Sequence, residues 1–572
     1  MASAEIRGVF KATRGYFVAA GLFSLAANLL YLAAPLYMLQ VYDRVVSSGS
    51  VTTLVMLTIV LLIALGAMAG LDAVRARVLA RAGIRLDRLL SRRVVVATLE
   101  GSTKGAGRGQ PLRDLDTFRQ FVSGNGIIAL FDLPWSPIYI GVIFLLHPSL
   151  GFFSLGCVLV LVVLALLNER IVRRPMSESN EATARNYSFT EMGLRNAEVV
   201  RSMGMAHDLI RRWSEDRNHA LDRHLTASDR AGAMTSLIKF LRLAMQSLVL
   251  GIGALLVIQR LATAGVMFAA MVLLGRALQP IEQTVGQWRS LVSARGAWLR
   301  VRDLLDSAAP RETVLSLPRP HGHVSVEGLT VAAPDSDRLI LKNVGFHLDP
   351  GESLAIVGPS GAGKSTLARA LVGVLSPAAG AVRLDGANLA NWPHHELGRH
   401  VGYLPQDIEL LADTVASNIG RFRENVDGDI LTAARCAGVH EMILRLPNGY
   451  ETQIGEGGSM LSGGYRQRIA LARAVFGNPS LVVLDEPSSN LDADGDQALS
   501  RCLRQLKAHG ATVIVISHRP AALATVDKIL VLQDGAVPIF GDRDTIMGQI
   551  ARPAPVQSSP AAGLASIAAG AR

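Results

Sequence analysis

The stretch GPSGAGKST, Gly358 to Thr366, decides how the rest of the chain is read. It follows an apolar run, SLAIV (Ser353 to Val357), and precedes LARALVGVL, whose apolar residues recur at helical spacing. A strand, a glycine-rich loop and a helix in that order form a phosphate-binding unit. In such a unit the loop Gly358, Pro359, Ser360, Gly361, Ala362, Gly363 turns backbone N–H groups toward phosphate oxygens. Lys364 reaches the β- and γ-phosphates, Ser365 is a Mg²⁺ ligand and Thr366 continues the first helical turn. The loop predicts a nucleoside triphosphate site.

Two further stretches fit the same chemistry. LVVLDEP, Leu481 to Pro487, is an apolar strand ending in two carboxylates. Asp485 is placed to hold the Mg²⁺ shell, and Glu486 to orient or deprotonate an attacking water. In LSGGYRQR, Leu461 to Arg468, the small residues Ser462, Gly463 and Gly464 immediately precede a helical run, RQRIALARAVF. A helix N-terminus built of small residues lets an anion come close to its N–H groups. From Val324 onward β-like runs alternate with helical segments, which predicts an α/β nucleotide-binding domain.

The first half has a different character. The 572-residue chain is 50% hydrophobic, with a mean hydropathy of +0.32 that is high for a soluble protein. Residues 16–38 carry no charge and are long enough to cross a bilayer core of ~30 Å. The stretch is too long for a cleavable signal peptide. Further spans at about 51–71, 126–146, 149–168, 237–258 and 261–281 make six. Loops 72–125 and 169–236 hold eleven Lys/Arg each, whereas 39–50 holds only Arg44, 147–148 none and 259–260 only Arg260. The positive-inside rule therefore puts both long loops, both termini and the nucleotide site in the cytoplasm. The net charge of +10 flanks apolar segments instead of forming one basic tract, which argues for membrane topology and against nucleic acid.

The long loops read as helical extensions of the spans. Within them, segments around Arg113 to Phe121 and Ala197 to Trp213 are either short crosswise helices docking on the nucleotide domain or plain solvated helix surface. Asp132, Lys239, Arg242 and Arg276 are ionisable residues at membrane depth, where charge is costly. Arg276, Gln279 and Gln283 share one helical face. That face suits a water-filled path; the alternative is snorkelling for Lys239 and Arg242 and inter-helix pairing for Arg276. Residues 1–282 are thus a membrane domain, and 283–320 a helical extension and Pro-marked linker. Residues 321–550 form the nucleotide-binding domain, and 551–572 an Ala/Pro/Ser/Gly-rich tail expected to be disordered. Cys157, Cys436 and Cys502 lie far apart without a CxxC spacing and read as isolated reduced thiols.

The ordered set of phosphate loop, Gln406 in YLPQD, LSGG, LVVLDE, Asp492 in SNLD and His518 in VISHR resembles the ATPase of ABC transporters. The resemblance implies an α-helical six-span ABC exporter transmembrane domain followed by an α/β P-loop ABC ATPase domain, with ATP and Mg²⁺ bound. Gln406 would reach the metal or water, His518 the γ-phosphate, and Ser462 to Gly464 would complete the site of a second subunit, with Asp492 linking the two sites. One membrane domain and one cassette imply a homodimer. Two departures stand out: Tyr465 replaces the usual Gln after LSGG, and no aromatic residue for stacking on adenine occurs in TVAAPDS around Ala333.

The segments APLYMLQVYDRVVSSGS (Ala34 to Ser50), LFDLPWSPIYIGVIFLLHPSLG (Leu130 to Gly151) and the Ala-Arg-Gly-Ala-Trp around Arg295 resemble the permease/ATPase subunit of type I protein secretion systems. The similarity is greatest to the branch that exports proteases, lipases and haem-binding proteins. It implies a bacterial inner-membrane exporter of proteins carrying a C-terminal secretion signal. Its partners would be a membrane fusion (adaptor) protein and an outer-membrane channel. An exporter of a small molecule, lipid or glycan is the alternative.

Overall fold

The computed structural model describes residues 2–101, 109–307, 317–333, 336, 338–517 and 519–550. The 551–572 tail and His518 lie outside the described residues. Contacts divide the chain into two units, Met1–Pro310 and Arg311–Arg572, with the break inside the 283–320 segment.

Among the described residues of the first unit, six helices are long and apolar enough to cross a membrane: Ile6–Ser48, Val51–Glu100, Asn125–Leu146, Pro148–Ile171, Ala206–Ile258 and Ala264–Gly286. Uninterrupted helices run over Val51–Gly101 (51 residues), Pro148–Arg195 (48) and Ala206–Ile258 (53). At ~1.5 Å per residue each is ~70–80 Å long, more than twice a ~30 Å bilayer core. The basic loops are therefore largely continuations of the spans.

Polar residues in this unit find partners far away in sequence. Pro134 and Pro137 break the third span into Asn125–Asp132 and Ser136–Leu146, joined by a single 3₁₀ turn, Leu133–Trp135. At that break Asp132 accepts bonds from Arg75 Nη1 (2.7 Å) and Asn28 Nδ2 (3.0 Å). Arg75, only 6% exposed, also meets Asp72 (2.9 Å) and Ser24 Oγ (2.8 Å). The Tyr139 hydroxyl donates to Asn28 Oδ1 (2.8 Å). The DLPWSPIY segment thus ties three spans together through a paired, buried charge, which is the condition under which such a charge is tolerated.

The YMLQVYDRV segment is likewise helical, through a π-turn at Val41–Val45. The Asp43 carboxylate accepts from Thr263 Oγ1 (2.7 Å) and the Gly265 N–H (2.9 Å), and so caps the sixth span at its positive end. A Cβ on Gly265 would lie 2.6 Å from that carboxylate. Tyr42 stacks on Phe268 at 4.4 Å.

Both segments offered as crosswise helices or solvated helix surface contain a helix. Gln110–Ser123 is an amphipathic helix whose buried Asp114 accepts two bonds from Arg300, both 2.7 Å, and whose Phe118 stacks on Trp298 at 4.7 Å. Its partners belong to the first unit: the second span and the helix Trp288–Ser307, which carries the Ala-Arg-Gly-Ala-Trp motif. The second segment is a six-residue helix, Ala197–Ser202, largely exposed, after which Ala206–Ile258 begins.

Among the described residues the second unit holds ten strands: β1 (Val324–Ala332), β2 (Leu339–Leu348), β3 (Ser353–Val357), β4 (Ala379–Leu384), β5 (Ala387–Asn388), β6 (Val401–Leu404), β7 (Leu481–Asp485), β8 (Thr512–Ile516), β9 (Lys528–Gln533) and β10 (Ala536–Asp542). They form an antiparallel sheet, β2-β1-β4-β5, and a larger sheet, β10-β9-β3-β8-β7-β6, parallel except at its β10 edge. β7 and β8 are buried at every position, the pattern of a parallel sheet covered on both faces. This brings the C-terminal ends of β3, β7 and β8, and the loops that follow them, to one edge. The thiols of Cys436 and Cys502 lie 2.8 Å apart, so these two cysteines are not isolated. They sit on two helices, Asp427–Cys436 and Ala493–Ala508, that sequence distance kept apart.

Candidate nucleotide site

The loop after β3 adopts the conformation that its glycines permit. Gly361 and Gly363 have φ of 82° and 100°, and a Cβ on Gly358 would collide with the Leu532 carbonyl. Helix Lys364–Leu371 starts directly at the loop. Lys364, 8% exposed, donates to the carbonyls of Gly358 (2.8 Å) and Pro359 (3.0 Å), which folds its ammonium back over the loop.

A cleft of about 880 Å³ opens over this loop. Ser360, Gly361, Gly363, Lys364, Ser365 and Thr366 line its floor, with Gln406 and Glu486 on one side. Its opposite wall is made of Ala333, Arg338, Leu339, Ile340, Lys342, Asp534 and Gly535. No aromatic residue is among the described residues of that wall, in keeping with the sequence around Ala333.

Asp485 and Glu486 close β7 in different environments. Asp485 is 2% exposed, and burial pushes its carboxyl above the usual carboxylate range, against the opposing pull of the Ser365 hydroxyl, Arg369 and Lys364. A buried carboxylate held up by desolvation, beside a serine hydroxyl, is a donor set that fits a hard divalent cation. Ser365 Oγ and Gln406 Oε1 are 3.5 Å apart, as are Gln406 Nε2 and Glu486 Oε2, so the three side chains form a loosely spaced chain across the cleft. Glu486 has φ 49°, a left-handed conformation that costs a non-glycine residue roughly 1–3 kcal/mol. Its backbone is fixed in that state: its N–H donates to the Ile516 carbonyl (3.0 Å), and its carbonyl accepts from Ser489 N–H (3.2 Å) and Gln467 Nε2 (3.3 Å).

Gln467 was not singled out by motif reading. Its side chain is 1% exposed and donates also to the Pro487 carbonyl (2.8 Å), so the helix after LSGG clamps the loop that carries Glu486. A polar residue facing inward from an otherwise apolar helix face was the available signal. Arg338, Lys342 and Asp534 carried no signal, since only the sheet brings them to the cleft.

Ser462, Gly463, Gly464 and Asp492 are not among the residues lining this cleft. Ser462 is exposed and caps helix Gly463–Val475, accepting from the Tyr465 N–H at 3.5 Å. Asp492 caps helix Ala493–Ala508 by accepting from the Gly495 N–H (2.8 Å) and is paired with Arg468 (2.6 Å). The Gly495 bond and the Arg468 guanidinium hold its carboxyl below the usual range.

A helical unit with six apolar spans, followed by a phosphate-loop unit with this motif order, defines the architecture of an ABC exporter. Residues 17–280 match the family described as ABC transporter transmembrane region, and residues 341–489 the family described as ABC transporter. The chain is 43% identical over 525 residues to the type I secretion system ATP-binding protein PrsD of Rhizobium meliloti, covering 91% of this chain and 90% of that protein. It is 28% identical over 522 residues to the cyclolysin secretion/processing ATP-binding protein CyaB of Bordetella pertussis, covering 90% of this chain and 73% of that one. Among solved structures, a bacterial Atm1-family ABC exporter with ATP bound superposes with a TM-score of 0.82 at 24% identity, covering 94% of this chain and 97% of that one, which establishes the fold. The chain therefore belongs to the type I secretion system ATP-binding proteins within the ABC transporter family. It is a multi-pass membrane protein whose cassette is an ATP hydrolase coupled to export.

Proposed function

We propose that the protein is the inner-membrane motor that exports proteins bearing a C-terminal secretion signal, working as a homodimer with a membrane fusion protein and an outer-membrane channel. The export of protein rests on the similarity to secretion ATPases along nearly the whole chain. In this reading the long basic helices, both termini and the cassette face the cytoplasm.

The observation that carries the dimer is that the phosphate loop and the LSGG helix start belong to one unit but not to one cleft. A second copy supplies Ser462, Gly463 and Gly464 to the ATP held on Gly358 to Thr366, and Asp492 lies between the two sites. Ser365, Asp485 and Gln406 would hold Mg²⁺, which would supply neutralisation of phosphate charge there. Lys364 orients the phosphates. Glu486 accepts a proton from the attacking water, and its backbone, clamped by Gln467, aims the carboxylate into the cleft. His518 contributes a donor to the γ-phosphate.

Mixed dimers test the shared site. Lys364→Ala and Ser462→Arg each inactivate both sites of a homodimer, but a dimer of one with the other keeps one site intact. ATPase activity is expected to return in the mixed dimer; none returning means that each cleft works alone. Cargo is tested by reconstitution: C-terminal peptides of secreted proteins are expected to stimulate ATPase, and stimulation by lipids or drugs alone would replace protein export.

A further inference from the structure

In the membrane unit, a cavity of about 270 Å³ is lined by Arg242, Gln246, Met271, Val272, Gly275, Arg276 and Gln279. Its depth is set by the helices. Arg276 lies twelve residues into Ala264–Gly286, and Gln246 twelve residues before the end of Ala206–Ile258, where the same connection joins the two helices. At ~1.5 Å per residue both are ~18 Å from that end, near the middle of a ~30 Å bilayer core.

The two cations of the cavity differ. Arg242 is neutralised by Glu282 at 2.5 Å. Arg276 lies over the Tyr31 ring, 4.0 Å from its centroid, and donates to Gln279 Oε1 at 3.0 Å. Among the described residues it has no carboxylate partner. A guanidinium has five N–H donors in a planar fork that matches a carboxylate. The wall around it offers further amide groups: a Cβ on Gly275 would collide with the Gln246 side-chain amide, so the glycine is what admits that amide. A charge kept at mid-membrane without an internal counter-ion is expensive, and such charges mark ligand paths.

We infer that this cavity binds a carboxylate of the polypeptide in transit, an acidic side chain or a chain terminus, through Arg276 with Gln279 and Gln246. The inference rests on the protein-export reading and adds to it a contact site. Depth and size choose the ligand. A lipid phosphate sits at the headgroup level, ~15 Å from the bilayer centre, whereas a cavity of about 270 Å³ admits one side chain or chain end.

The test uses the full-length protein in phosphatidylcholine nanodiscs and compares binding of a fluorescent Asp/Glu-rich peptide with its Asn/Gln counterpart. Wild type is expected to bind the acidic peptide about tenfold more tightly. Arg276→Gln is expected to remove the preference and Arg276→Lys to keep part of it. Should Arg276→Gln fold poorly, Gln279→Glu, which sets a carboxylate beside the guanidinium, is expected to erase the preference as well. Equal binding of both peptides to wild type, or a preference that survives both variants, overturns this inference and leaves protein export standing. Binding of neither peptide likewise overturns this inference, while protein export is judged by the reconstitution with C-terminal peptides. Retention of phosphatidylglycerol that depends on Arg276 assigns the cavity to a lipid phosphate and overturns the polypeptide ligand.

Discussion

The two halves of this molecule treat polar groups in opposite ways. In the cassette the functional polar residues point into an open cleft and are loosely spaced, with contacts of 3.5 Å joining Ser365, Gln406 and Glu486. In the membrane unit they are tightly mated across distant segments, at 2.7 Å for Arg75 with Asp132 and for Thr263 with Asp43. A catalytic cleft needs donors and acceptors that stay available for a ligand, whereas a bilayer-embedded helix bundle must satisfy each polar group internally. Arg276 departs from this mating, with a ring and an amide but no carboxylate beside it among the described residues.

The comparison can be broken at several points, the most consequential being Glu486→Gln. It is expected to lower ATP turnover by about 10²–10⁴-fold while nucleotide binding persists, as measured by steady-state ATPase and by trapping of labelled ATP. Undiminished turnover would remove Glu486 from the role of base.

In the membrane unit the largest effect falls on a mated pair. Asp132→Ala removes the shorter of the two carboxylate contacts of the buried Arg75, which keeps Asp72 at 2.9 Å, and is expected to cost about 1.5–3 kcal/mol, seen as loss of folded protein in thermal unfolding. The double variant Arg75→Met with Asp132→Leu is expected to recover most of that. A harmless single variant would mean that membrane-unit charges are no more tightly coupled than those of the cleft.

Asp485 gives a smaller effect with a defined sign. Its carboxyl is raised by burial, so the ionised form costs folded-state stability. That cost is present above the raised value and disappears as pH falls through it. Without nucleotide or Mg²⁺, Asp485→Asn is expected to raise the cassette unfolding temperature by about 2–4 °C near pH 8, with the difference fading in acid, although Mg²⁺-dependent ATPase is lost. A lower unfolding temperature in the variant would contradict the burial argument.

The smallest effect concerns the aromatic-free wall. Ala333→Tyr is expected to lower the KM for ATP by about 2–10-fold through ring stacking, and that for GTP similarly, because every base offers a π-face. An unchanged KM for both would place the base away from Ala333.

Much of the cassette was legible in the chain because phosphate chemistry is built from short contiguous pieces. Gly358 to Thr366, Leu481 to Glu486 and Leu461 to Arg468 each carry their own strand or helix context. The spans were legible for a similar reason, since bilayer thickness fixes a minimum apolar length. Their ends were not: the first span continues from Ile6 to Ser48 because Asp43 and Arg44 sit in helix, where the sequence suggested a loop. The segment Ala197 to Trp213 holds a short helix, Ala197–Ser202, followed by the start of Ala206–Ile258, a break that its helical pattern did not mark.

By itself, then, the sequence determined that a phosphate-loop ATPase follows six spans, since both depend on local spacing and on length. Only the tertiary structure decided which polar groups are partners and which remain available. Asp132 with Arg75, Asp43 with Thr263, Arg242 with Glu282 and Cys436 with Cys502 are separated by tens to hundreds of residues. Periodicity carries no information at that range, because it reports the face on which a side chain lies and not the distant element that covers that face.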